Sequence, residues 1–210
     1  MTTSPIHGLY AIIDPQYVPG PIEHYARALL SGGCRLLQLR VKDDVALRAA
    51  AARAILALKK EYEFCFIMND DAALAREFRA DGVHLGPTDT PVVQARALLG
   101  PHTLIGFSAA TTGLPGALAA QEAGADYVAF GAVYPTNTKG PDHPVQGIPR
   151  LQEMVNALSV PVVAIGGITR ENVLDVWRTG VAAVAMITAL ARAPDPTVEA
   201  NWYVQRLRKS

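Results

Sequence analysis

Pro161-Val162-Val163-Ala164-Ile165-Gly166-Gly167-Ile168-Thr169 (PVVAIGGIT) is the stretch from which the rest of the chain can be read. Val162 to Ile165 is a short apolar run suited to a strand buried on both faces. It ends in Gly166-Gly167, and Thr169 is placed to cap a helix running through Arg170-Glu171-Asn172-Val173-Leu174. Two glycines between a buried strand and a helix start let backbone N–H groups approach an anion, and a helix N-terminus adds partial positive charge. A tight turn without a ligand reads equally well from these residues alone. A second apolar run, Val181 to Ile187, follows and ends at Thr188. In (β/α)8 barrels a phosphate site is often built by the loops after strands seven and eight. Counting strands from the other end therefore decides whether a phosphate cup belongs here.

The count begins with Gly8 to Ile13, followed by a helix over about 22–30 that stops at Ser31-Gly32-Gly33. Cys34 to Leu39 is the second run, leading through Arg40-Val41-Lys42-Asp43 into an Ala-, Leu- and Arg-rich helix from Asp44 to Lys60. The third is Phe64 to Met68, then Asn69-Asp70-Asp71 and a helix to about Arg79. The fourth is Gly82 to Leu85, with Pro91 suited to the first position of a helix that Gly100 stops. The fifth is Thr103 to Phe107, with a helix over about 114–123. The sixth is Asp126 to Phe130, with a polar loop from Tyr134 to Gly147 and a helix over about 149–158. The opening pair are then the seventh and eighth, and a helix over about 196–207 follows. Strands alternating with helices imply a parallel sheet, and eight units in this length favour an α/β fold of the (β/α)8, or TIM, barrel type, one domain over residues 1–210.

Composition narrows the function classes. Half the residues are hydrophobic, and 19 basic residues balance 19 acidic ones, with no basic stripe for nucleic acid. No apolar run reaches the roughly 18 residues a membrane span needs. MTTSPIHG lacks the pattern of a secretory signal. Cys34 and Cys65 sit in apolar runs, which suits buried free thiols in a reducing cytoplasm. A homodimer is left open, since no exposed patch can be read from sequence.

Function in such a barrel lies at the C-terminal strand ends. There the sequence places Gln38, Arg40 and Lys42, alternating so that all three face one side. It adds Asn69 and Asp70, then Asp89, then Ser108, then Thr136, Asn137, Thr138 and Lys139, then the glycine pair and Thr188. So many charges at one rim must pair with each other or meet a ligand. Asp70 and Asp89, from adjacent strands, can share one hard cation such as Mg²⁺ together with substrate phosphate oxygens. Arg40, Lys42 and Lys139 would match a diphosphate. A ring of salt bridges is the alternative. His84, inside strand four, reads as a hydrogen-bonded core histidine, and no Cys/His spacing suggests zinc. Gly166-Gly167 lacks the third glycine and distant acid of a dinucleotide fingerprint.

In order along the chain, Gln38-Leu39-Arg40-Val41-Lys42, Asn69-Asp70, Gly82-Val83-His84-Leu85-Gly86 with Asp89, Ile105-Gly106-Phe107-Ser108, Gly131 to Lys139 (GAVYPTNTK) and Ala164 to Ile168 (AIGGI) resemble the thiamine-phosphate synthase family. The resemblance runs along nearly the whole chain. It implies a barrel enzyme that joins 4-amino-2-methyl-5-pyrimidinylmethyl diphosphate to a thiazole ethyl phosphate, with Mg²⁺, releasing pyrophosphate. It further implies that Asp70 and Asp89 hold Mg²⁺, and that Gln38, Arg40, Lys42, Asn69, Ser108 and Lys139 hold the pyrimidine diphosphate. Thr136, Thr138, Gly166, Gly167, Ile187 and Thr188 would hold the thiazole phosphate. Departing from the family pattern are Ala73, Pro87, Ala110 and Thr188, of which Thr188 keeps a hydroxyl. Thiazole tautomerases share the barrel but resemble the chain less. They use a histidine where Ala110 stands, and they lack the Asp89 equivalent and the first glutamine of Q-x-R-x-K. A non-catalytic barrel binding thiazole or thiamine phosphates would have no need of Asp70, Asp89 and Lys139. The loop from Tyr134 to Gly147 is long enough, with Gly140, Pro141 and Gly147, to close as a lid.

Overall fold

A computed structural model describes residues 4–18, 20–42, 44–136, 138 and 144–208. Eight parallel strands close into a barrel, each pairing with its sequence neighbours and the last with the first. The strands are β1 (Gly8–Ile13), β2 (Leu36–Leu39), β3 (Cys65–Asn69), β4 (Gly82–Leu85), β5 (Leu104–Ser108), β6 (Tyr127–Phe130), β7 (Val162–Ile165) and β8 (Ala183–Met186). The helices of the outer coat are α1 (Ile22–Ser31), α2 (Val45–Ala57), α3 (Ala72–Glu77), α4 (Val92–Leu99), α5 (Gly113–Glu122), α6 (Gly147–Ala157) and α7 (Val173–Arg178). After β8 come a single short turn, α8 (Thr188–Ala191), and then α9 (Pro196–Arg206).

The strands read as unbroken apolar runs because both of their faces are buried. One face packs against the helices through residues such as Leu37, Phe66, Val83 and Val128. The other fills the barrel with Tyr10, Ile12, Leu36, Ile67, Tyr127 and Val163 among alanines. Small interior residues make space for the two tyrosines. A Cβ on Gly106 would lie 2.1 Å from Tyr127 Cζ, so the ring occupies the volume that the glycine leaves. Cys34 belongs to the outer layer and Cys65 to the interior, both as free buried thiols. Burial pushes the Cys34 thiol up to about 11 and Cys65 up to about 12, so both stay protonated.

Helix starts follow local chemistry. Asp44, Asp71 and Asp195 accept backbone N–H groups at the starts of α2, α3 and α9. Three local expectations are corrected. Pro91 is the N-cap residue of α4, one position before the first helical residue. The helix from Asp44 to Lys60 gives way after Ala57 to a tighter 3₁₀ turn, Leu58–Lys60. Thr169 does not cap α7, which starts only at Val173 after the N-cap Asn172. Instead the Thr169 hydroxyl bonds Glu171, and Asn172 Oδ1 accepts the Thr169 N–H at 2.8 Å. An asparagine three residues on competes for the turn, so a bend precedes the helix.

At the N-terminal rim two aspartates stitch neighbouring strands. Asp81, just before β4, accepts the Phe66 N–H of β3 at 2.7 Å. Asp126, just before β6, accepts the Ile105 N–H of β5 at 2.7 Å and the Arg96 guanidinium at 2.6 Å. Arg96 also donates to the Thr103 and Gly124 carbonyls. Asp126→Ala should remove about 1–2 kcal/mol of partly exposed, charge-assisted bonding, lowering Tm by about 3–8 °C in a thermal melt. An unchanged melt would mean that solvent replaces those bonds at no net loss.

Candidate functional site at the C-terminal mouth

The mouth has two halves. The first is charged and is built from the ends of β1 to β4. Gln38, inside the barrel on β2, is buried and donates through Nε2 to Tyr10 Oη at 2.7 Å. Two residues on, Arg40 pairs with Asp14, the residue after β1. Asp14 is 5% exposed, and sequence reading passed it over because it ends an apolar run without any motif. Arg40, Lys42 and Asp14 line one recess of about 290 Å³. Part of the rim is thus the salt-bridge ring that the sequence left open, and Arg40 is its member.

The Asn69-Asp70-Asp71 run splits three ways. Asn69 ends β3 and is buried. Asp71 turns outward, capping α3 through the Leu74 N–H and pairing with Arg48 at 3.2 Å. Asp70 lies between them with φ 66°, a left-handed conformation that Asp tolerates better than most side chains. Its backbone is fixed by an N–H bond to the His84 carbonyl at 2.8 Å. Asp89 comes back across the turn after β4, where its Oδ2 accepts the Gly86 N–H at 2.6 Å. The two carboxylates stand within hydrogen-bonding reach of each other. Burial, then the neighbouring Asp89 charge, pushes Asp70 up to about 6, while Arg40 and Lys42 act in the opposite direction. Among the described residues no cluster of three or more His, Cys, Asp or Glu is arranged to hold a metal. A cation here would find two carboxylate oxygens and would need other oxygens to complete its shell. That donor set suits a hard ion such as Mg²⁺.

The second half is a cup of about 320 Å³ at the ends of β6, β7 and β8. Thr136, Thr138, Gly166, Gly167, Ile187 and Thr188 all line it. Gly166 and Gly167 have φ of 97° and 68°, a pairing of left-handed residues that glycine alone adopts readily. A Cβ on Gly167 would also lie 2.5 Å from the Pro135 carbonyl, so this glycine lets the β6 loop close over the β7 loop. Asn172 Nδ2 braces the turn by donating to the Gly167 carbonyl at 3.0 Å. Thr138 N–H and hydroxyl both meet Thr136 Oγ1, and Tyr17 from the β1 loop donates to the Thr138 carbonyl at 3.4 Å. Sequence reading missed Arg192, which lines the cup from the end of α8 and is its one charged side chain among the described lining residues. A four-residue helix carries too little periodicity to be seen in sequence, so neither α8 nor Arg192 could be placed.

Ser108 ends β5, two residues beyond Gly106 on the barrel-facing side. His84 is the hydrogen-bonded interior histidine expected, with Nδ1 3.1 Å from Tyr127 Oη and its ring stacked on Tyr127. Asn137 and Lys139, and the Gly140 and Pro141 on which a lid reading partly rests, lie outside the described residues.

A closed parallel barrel with a cup after its last two strands and a short extra helix is the architecture by which (β/α)8 proteins handle phosphorylated ligands. The chain belongs to the thiamine monophosphate synthase family, whose model matches residues 9–190. It is 46% identical over 200 residues to the thiamine-phosphate synthase of Thioalkalivibrio sulfidiphilus, covering 93% of each chain. It is 42% identical to that of Nitrosococcus oceani, covering 97% of this chain and 94% of the relative. The thiamine phosphate pyrophosphorylase of Pyrococcus furiosus superposes with a TM-score of 0.85 at 34% identity, over 96% of this chain and 97% of that one.

Asp70 binds a proton more readily folded than unfolded, since about 6 lies above its ordinary 3.8. The contribution of Asp70 to stability therefore improves as pH falls through 6 toward 4 and worsens as pH rises. Asp70→Asn, which keeps the left-handed backbone, should raise Tm by a few degrees at pH 7.5 and by almost nothing near pH 4. With solvent screening discounted, that is about 1 kcal/mol. An equal Tm gain at both pH values would show that charge repulsion is not its cause.

Proposed function

We propose that this chain condenses 4-amino-2-methyl-5-pyrimidinylmethyl diphosphate with a thiazole ethyl phosphate, giving thiamine phosphate and pyrophosphate. The observation that carries the reading is the pair of neighbouring carboxylates, Asp70 and Asp89, at the mouth beside Arg40 and Lys42. Two neighbouring acids set beside two cations suit a ligand that brings both a divalent ion and a diphosphate.

In this reading Asp70 and Asp89 hold Mg²⁺, which when bound neutralises charge on the diphosphate. Arg40 and Lys42, with Lys139, hold the diphosphate oxygens as the bond from the pyrimidine methylene carbon to oxygen breaks and its electron pair leaves with pyrophosphate. Electron donation by the aminopyrimidine supports the carbon as positive charge develops. The thiazole nitrogen then donates its lone pair to that carbon, forming the new C–N bond. No side chain need act as nucleophile, so the protein's task is to hold two substrates in line and to stabilise a leaving anion. Gln38, Asn69 and Ser108 would hold the pyrimidine, and the cup of Thr136, Thr138, Gly166, Gly167, Ile187 and Thr188 the thiazole phosphate. Arg192 would add charge to that cup. Buried protonated thiols and small polar substrates fit a cytoplasmic enzyme.

Purified protein should release pyrophosphate and form thiamine phosphate from the two substrates only with Mg²⁺ present. Asp89→Asn and Lys139→Ala should each lower turnover by roughly 10² or more while Tm moves by only a few degrees. Normal turnover in both variants would remove the mechanism. Tight binding of thiazole phosphate by the wild type without any pyrophosphate release would select a binding barrel instead.

Arg192→Met should raise KM for the thiazole phosphate roughly tenfold, the scale of one charge-assisted contact at an open site, and leave KM for the diphosphate unchanged. Equal KM values for the thiazole phosphate in both proteins would take Arg192 out of the cup's function.

A further inference from the structure

Beneath the charged half of the mouth the barrel encloses a line of four polar side chains. Gln38 Nε2 donates to Tyr10 Oη at 2.7 Å, Tyr10 Oη meets Tyr127 Oη at 2.9 Å, and Tyr127 Oη meets His84 Nδ1 at 3.1 Å. They come from β2, β1, β6 and β4, so the line crosses the interior instead of following one strand. Both phenols are almost wholly buried, and burial raises both well above the ordinary tyrosine range, so each keeps its single proton. The space for the crossing is set by Gly106, as any Cβ there would strike the Tyr127 ring.

The Gln38 amide gives the line its direction, because its Nε2 is the donor to Tyr10. Tyr10 Oη accepts from Gln38 and has one proton to give, which goes to Tyr127 Oη. Tyr127 in turn gives its proton to His84 Nδ1, so that nitrogen is the acceptor and the imidazole proton sits on Nε2. With the protons so arranged, the line matches a Gln38 whose amide nitrogen faces Tyr10. Among the described residues none donates to Gln38 Oε1. The amide still has that acceptor oxygen and a second N–H to offer. An acceptor and a donor in one plane complement an exocyclic amino group beside a ring nitrogen, the pattern by which Asn and Gln read adenine.

We propose that Tyr10 and Tyr127, ordered by His84, are positioning residues that fix the Gln38 amide in the orientation selecting an amino-bearing over an oxo-bearing pyrimidine. The inference rests on the proposed function, in which Gln38 meets the pyrimidine. An oxo pyrimidine presents the opposite pattern, an acceptor beside a ring N–H, and would need Gln38 turned over. Turning it over reverses both hydroxyl protons and moves the imidazole proton from Nε2 to Nδ1. The whole line therefore resists the flip, where a lone glutamine would turn freely. Cutting the line at Tyr127, which is two hydrogen bonds away from Gln38, frees Tyr10 to serve either orientation.

The test compares kcat/KM for the 4-amino diphosphate and for its 4-oxo analogue in wild type, Tyr10→Phe and Tyr127→Phe, each with Mg²⁺ and thiazole phosphate. The wild type should prefer the amino substrate by roughly 10³ or more, as expected where buried polar groups would be mismatched. Both variants should lose about tenfold or more of that preference, through KM for the pyrimidine, with KM for the thiazole phosphate unchanged. A purely structural role would move both KM values or Tm and leave the preference intact. Unchanged preference in both variants, with wild-type turnover present, overturns this inference alone. A wild type with no turnover overturns the functional reading and this inference together. Nitrogen-15 NMR of the His84 ring supplies a second readout that needs no turnover. It should find Nδ1 unprotonated in the wild type, and a protonated Nδ1 contradicts the assigned direction.

Discussion

Two carboxylates held against each other are the costly feature around which this molecule is arranged. Asp70 and Asp89 repel, and burial sharpens the repulsion, yet the surrounding bonds keep them together. The β3–β4 ladder pairs Asn69 with His84 and carries Asp70 N–H onto the His84 carbonyl. The turn after β4 is closed by Asp89 itself, through the Gly86 N–H. Asp89 cannot swing away without giving up its bond to the Gly86 N–H, and the backbone bond and left-handed φ of Asp70 fix the point from which its carboxylate projects. A bound cation is the kind of ligand that would relieve such repulsion.

The rest of the barrel divides labour around that point. Strands β1 to β4 bring charge to the mouth, and among the described residues β6 to β8 bring hydroxyls, glycines and Arg192. The interior below is packed with aliphatic side chains around the two tyrosines, with Gln38 and His84 bonded to them. The opposite rim uses its charges differently. Asp81 and Asp126 there each engage a strand N–H and a cation, Lys59 or Arg96, through one carboxylate oxygen, which makes them fastenings of the fold.

Much of this was legible in the sequence, for identifiable reasons. A parallel strand buried on both faces writes an unbroken apolar run, and eight such runs separated by helical patterns leave little choice of fold. The motif residues at the strand ends were legible because barrel loops collect at one face, and Gln38, Arg40, Lys42, Asp70 and Asp89 do lie there. Partners made by closure of the barrel were not legible. Asp14 meets Arg40 across the β1–β2 seam, and Tyr10 meets Tyr127 across the interior, 117 positions apart. Thr169 failed as a cap because Asn172 took its N–H, a competition between two good local partners that spacing alone does not rank. Arg192 was hidden by the shortness of α8, a turn that only packing above the cup defines.

The most direct test of the central claim is a crystal structure of the protein grown with Mg²⁺ and pyrophosphate. The account predicts one metal ion bonded to both Asp70 and Asp89, its shell completed by diphosphate oxygens and water, with Arg40 and Lys42 on the same diphosphate. Pyrophosphate bound elsewhere, or a metal that leaves either aspartate uncoordinated, would contradict it.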